Sequence, residues 1–124
     1  MGLDQWFYKT KEPAKWDYIR YDDGTYSLEE YLIMPEDREE ISYFRKNYSL
    51  NEWVCYNAVC DDIMDFNCHP VEITKDIVMS LFKDHIKGEV ESEWKEHNER
   101  LFHCIKEVIE ALSSGYNVYY YAWW

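Results

Sequence analysis

The sequence predicts an α+β fold, with four to five helices packed on a small antiparallel sheet formed by the N- and C-terminal strands. Both ends of the chain are aromatic and read as strands, residues 3–8 and 116–124. Between them, apolar residues recur at helical spacing in several stretches. A chain of 124 residues that is 47% hydrophobic supports one domain, 1–124, with a modest core and no staples.

The first strand carries Trp6, Phe7 and Tyr8 in succession, which fits burial on both faces. A polar connection containing Pro13 leads to a second strand at 16–21, where Trp16, Tyr18 and Arg20 alternate with Asp17, Ile19 and Tyr21. The run from Asp22 through Gly24 to Thr25 is a turn, and it lacks the acidic spacing of an EF-hand loop. Ser27 and Glu30 then have capping-box spacing, predicting a short helix to about Met34.

The expected organising unit follows, a pair of helices over 36–46 and 50–59. Pro35 suits a helix start, Ile41, Phe44 and Tyr48 share helical spacing, and Ser49 with Glu52 forms a second capping box. Residues 61–68 show no period and read as a loop with Ile63, Met64 and Phe66 beneath it. Thr74 caps a helix over 75–87 whose stripe is Ile77, Val78, Leu81, Phe82, His85 and Ile86, and Gly88 ends it. The longest helix, 91–113, has a seam of Trp94, Leu101, Ile105, Val108 and Leu112. Its exposed side carries the i,i+4 pairs Glu91–Lys95 and Glu96–Arg100, and Gly115 stops it. In the terminal strand, Tyr116, Val118, Tyr120 and Trp124 face one way and Tyr119, Tyr121 and Trp123 the other. Pairing this strand with the N-terminal one, and adding the strand at 16–21, gives the sheet.

Thirteen basic and 25 acidic residues give a formal charge of −12. Half of the excess lies in residues 35–72, with 3 basic and 9 acidic groups. Repulsion from phosphates argues against direct nucleic-acid binding, whereas a negative surface attracts basic proteins. Aromatics reach 19%, more than the core needs, so some belong at a surface shared with a partner or a second subunit, a possible homodimer. No apolar run approaches the roughly 20 residues of a membrane span, and none follows Met1 as in a signal peptide. Met1-Gly2 opens like a myristoylation signal, but Trp6 stands where that motif needs Ser or Thr. The four cysteines are expected as reduced thiols.

The pattern resembles a family of small proteins encoded by phages and prophages. Its members open like Met1-Gly2-Leu3-Asp4 followed by aromatics. They share a central stretch similar to Glu40-Ile41-Ser42-Tyr43-Phe44-Arg45-Lys46, a Trp like Trp53, an Asn-Cys pair like Asn67-Cys68, and an aromatic run closing on Trp, like 119–124. Phe44 replaces the usual Trp, and Asn51-Glu52 stands where a His precedes the Trp. The resemblance carries over no catalytic residues. It implies a viral origin and action in a host bacterial cytoplasm.

Catalytic chemistry finds little footing in the sequence. Cys55, Cys60, Cys68, His69, His85, His97, His103 and Cys104 lack zinc-site spacing, so no metal or cofactor is expected. No nucleophile motif is present, and four scattered glycines cannot cradle a phosphate. Asp22, Asp23, Glu29, Glu30, Glu36, Asp37, Glu39 and Glu40 gather around two expected helix starts. Part of that is the helix-dipole preference for acids. The rest fits a partner-binding face that imitates a nucleic-acid backbone. The expected function is therefore non-enzymatic binding and inhibition of a host protein with a basic groove, a nuclease or other nucleic-acid-handling or defence protein such as a CRISPR effector. The alternative is an aromatic pocket that sequesters a small molecule or nucleotide signal by stacking.

Overall fold

The computed structural model describes residues 2–59 and 66–124. The N-terminal strand β1 (Asp4–Thr10) lies between β4 (Glu39–Arg45) and the C-terminal β6 (Asn117–Trp123), with the short β5 (Val71–Glu72) outside β6. The pairings between these strands are antiparallel, and β1 meets β6 from Asp4 opposite Trp123 to Thr10 opposite Asn117. A second sheet is the two-stranded hairpin of β2 (Lys15–Arg20) and β3 (Tyr26–Ile33), which leaves the main sheet after β1 and returns at β4. Three helices, α1 (Tyr48–Asn57), α2 (Lys75–Ile86) and α3 (Lys95–Ser113), complete the described residues.

Alternation along β6 explains why this sheet has one dry face. Val118, Tyr120 and Ala122 are buried with Phe7 and Phe44 against Leu50, Val54, Leu81, Leu101, Ile105 and Val108 of the helices. On the opposite face Trp6 packs among Tyr43, Tyr121 and Tyr8, with ring centroids 5.4, 6.0 and 6.5 Å away. The C-terminus is pinned by Asn67, whose side chain accepts from the Trp124 amide at 3.0 Å and donates to its carbonyl at 3.2 Å.

A polar cluster sits inside the core. Fully buried Gln5 donates from Nε2 to the Asn47 carbonyl and the Tyr120 hydroxyl, both at 2.9 Å, and accepts from the Asn47 amide at 2.8 Å. The Tyr120 hydroxyl donates onward to Asn51 Oδ1 at 2.7 Å. Burial pushes the Tyr120 phenol far above its usual range, so it stays a donor. This network fastens the entry to α1 onto the middle of the sheet.

Several expectations are overturned. The described residues hold three helices, not four to five. The stretch expected as a helix at 36–46 contains strand β4, and the one from Ser27 to Met34 is strand β3. The strand at 16–21 exists as β2 but pairs with β3, not with the terminal sheet. Ser49 does not cap α1: Asn47 does, its side chain accepting from the Leu50 amide, while Ser49 Oγ donates to the Glu91 carbonyl. The last helix begins at Lys95, so Trp94 is its 48%-exposed N-cap and lies outside the seam. Thr74 caps α2 as expected, accepting from the Ile77 amide. Gly88 and Gly115, at φ of 78° and 89°, follow the helix ends in a conformation open mainly to glycine. Cys60, Ile63 and Met64 lie outside the described residues, while Phe66 is buried against Trp124 and Tyr120.

Candidate functional site

Helix α3 lines an acidic surface. Its apolar side, Leu101, Cys104, Ile105, Val108 and Ala111, is buried. Turning the helix toward β4 brings Glu96, Glu99, Glu107 and Glu110 onto its flank at three-, eight- and three-residue intervals, with Arg100 and His103 between them. β4 is an edge strand of its sheet. Between it and α3 run two adjoining grooves of about 530 and 340 Å³ that share Glu40, Ile41 and Glu107.

Edge strands expose backbone groups, and α3 covers part of this one. Arg100 Nη1 donates to the Tyr43 carbonyl at 2.8 Å, and His97 hydrogen-bonds the Arg45 carbonyl. The thiol of Cys104, paired with Ser42 below the groove, is driven far up by burial, with Glu107 adding to the effect. It is therefore no nucleophile. Arg100 thus sits as an internal cation in an acidic channel, with its guanidinium on the strand edge.

The eight acidic residues singled out from sequence do not form one face. Asp22 and Asp23 lie in the turn between β2 and β3, where Asp23 accepts from the Thr25 amide and hydroxyl at 2.9 and 2.6 Å. Those bonds hold its carboxyl below the usual range. Glu29 and Glu30 are neighbours on β3, so they point to opposite faces of the hairpin. Glu36 and Asp37 occupy the connection to β4, and Asp37 accepts from the Lys11 amide at 2.9 Å. Glu39 lies 3.8 Å from Lys9 Nζ. Only Glu40 lines the grooves beside α3. The carboxylates it meets there were legible in sequence only as an exposed helix side, because residues 36–46 were expected as a helix and not as a strand beside them.

The aromatic alternative also has a location. A groove of about 570 Å³ at the root of the hairpin is lined by Trp16, Tyr31, Phe66, His69 and Tyr119 among others. Tyr31 and His69 are stacked at 4.4 Å and 6°, so each ring already covers the other's face. Ala14 donates its amide to the Tyr119 hydroxyl at 2.8 Å, closing the floor. Burial lowers the His69 pKa.

The sulfur and imidazole groups are dispersed among these elements. Cys55 and Cys104 are buried and Cys68 is exposed. His85 stacks on Phe102, and His97 contacts Trp94, Phe44 and Ser92. Among the described residues no three His, Cys, Asp or Glu side chains are grouped to hold a metal ion. No helix of the described residues is long and apolar enough to cross a membrane.

No family model, curated protein or solved structure matches the chain.

Proposed function

We propose that this protein is a non-enzymatic acidic binding module that docks the face formed by α3 and the start of β4 into a basic groove of a nucleic-acid-handling protein. One observation carries the reading: Glu96, Glu99, Glu107 and Glu110 form a row beside Glu40 along an open channel. From Glu96 to Glu110 the row spans about 21 Å at 1.5 Å per residue. A duplex strand carries a phosphate every ~3.4 Å, so the face imitates the sign and reach of a backbone more than its charge density. A net charge of −12 adds long-range attraction for a basic partner. Together with the resemblance to phage proteins, this favours inhibition of a bacterial nuclease or other defence protein, CRISPR effectors included, in the host cytoplasm.

Immobilised protein exposed to bacterial lysate tests the reading. At low salt it is expected to retain a basic nucleic-acid-binding protein that is released by salt or by heparin, and to block that protein's binding to nucleic acid. Retention that is indifferent to both salt and heparin would instead favour the groove at the hairpin root. There the exposed ring of Trp16, beside the outer faces of the Tyr31–His69 stack, would hold a planar ligand by stacking.

A further inference from the structure

The hairpin carries an apolar face that the other described residues leave largely open. Pairing of Trp16 with Leu32, Tyr18 with Glu30 and Arg20 with Tyr26 puts these six on one side of the two strands. Leu28 projects from the irregularity between the last two pairs and is 99% exposed. Ser27 fixes that irregularity, accepting from the Ile19 amide at 2.9 Å and donating to the Glu29 carbonyl at 2.7 Å. Trp16, Tyr26 and Tyr18 are 66, 60 and 48% exposed. A two-stranded sheet with so little of its own surface buried is marginal without a further layer.

We infer that this face is a homodimer interface, closed by the same face of a second copy. Three features select that occupant. The side chains on it carry one cation, Arg20, and one anion, Glu30, so it is neutral in a chain of charge −12. Two copies therefore meet here without the repulsion that the acidic surface imposes elsewhere. Arg20 and Glu30 also flank Leu28, so a two-fold axis near Leu28 sets Arg20 of each copy against Glu30 of the other, as an isologous contact requires. The area suffices as well. At ~200 Å² per large side chain, the exposed parts of Trp16, Tyr18, Tyr26 and Leu28 supply roughly 550 Å² per copy. Twice that clears the ~1,000 Å² expected of a specific interface. The acidic groove beside α3 takes no part in this contact.

Sedimentation velocity across a concentration series tests the inference on the intact chain. The protein is expected to sediment as a dimer at high concentration and to dissociate on dilution. L28E should be monomeric, and R20E should weaken the dimer by roughly tenfold or more. Combining R20E with E30R should restore it, which a merely structural role for either residue would not produce. The three residues altered, Arg20, Leu28 and Glu30, are exposed, and circular dichroism confirms that each variant folds. A wild-type chain monomeric at every concentration would overturn the inference. So would a folded R20E variant that dimerises as tightly as wild type, a charge swap that restores nothing, or a monomer that uses Leu28 to take up a different protein.

Discussion

Gln5 holds together three things that the chain supplies far apart, the turn into α1, the phenol of Tyr120 and the middle of β1. Replacing it with leucine keeps the volume but strands the Asn47 amide in a dry core, while the Asn47 carbonyl keeps its bond from the Asn51 amide. We expect Q5L to lose about 1–3 kcal/mol in urea unfolding, the cost of one orphaned buried group. A loss below half of that would mean that water reaches the cluster. His97 gives a pH signature. Burial holds its pKa below the ordinary 6.5, against the raising effect of its hydrogen bond to the Arg45 carbonyl, and burial likewise lowers His69 and His85. Below pH 6.5 the unfolded chain binds protons that the folded chain resists, so stability is lost as pH falls through that value. Thermal melts between about pH 7 and 5.5 should show this fall, and H97Q should make it shallower; an identical slope in the variant removes His97 from the account.

Among the elements, β6 is the one that the fold depends on, because it is an inner strand with β1 and β5 on either side. Removing residues 119–124 deletes most of it, including buried Tyr119, Tyr120 and Ala122. The truncated chain should give no cooperative melt, and retention of the full melting temperature would make the aromatic end a mere appendage. Its pairing with β1 was legible because aromatic residues stand on both faces of β6, which marks a strand that needs cover on either side. β4 was not, and the cause is a β-bulge. Ser42 pairs with Phe7 and Glu40 with Tyr8, leaving Ile41 as the extra residue. Ile41 and Phe44 both pack toward the core, three positions apart, which imitates helical spacing on a strand. β3 was misread for a related reason. Ser27 and Glu30 have the spacing of a capping box, but the Ser27 hydroxyl ties an irregular strand. The bulge in β4 hid the acidic channel, since Glu40 can meet the carboxylates of α3 only if β4 is a strand beside that helix.

At the scale of the molecule, charge and aromatic surface are segregated. Carboxylates concentrate along α3 and the start of β4, rings cover the open face of the main sheet, and the hairpin presents a neutral apolar face. Arg100 lines the acidic channel, as Lys9 does further along, and R100A removes its charge and uncovers the Tyr43 carbonyl. If a partner's basic groups compete for the same place, R100A should strengthen binding and leave the melting temperature within a degree or two, as for an exposed site. Weaker binding in R100A would mean that Arg100 contacts the partner itself. The most direct measurement is the association rate with the protein retained from lysate, for wild type and for E96K/E99K/E107K/E110K, at two salt concentrations. The docking claim predicts that reversal slows association by at least tenfold at low salt, changes dissociation much less, and abolishes the salt dependence. E36K/D37K/E39K should have the smaller effect. Association of the α3 variant at the wild-type rate, with inhibition of the partner intact, would contradict it.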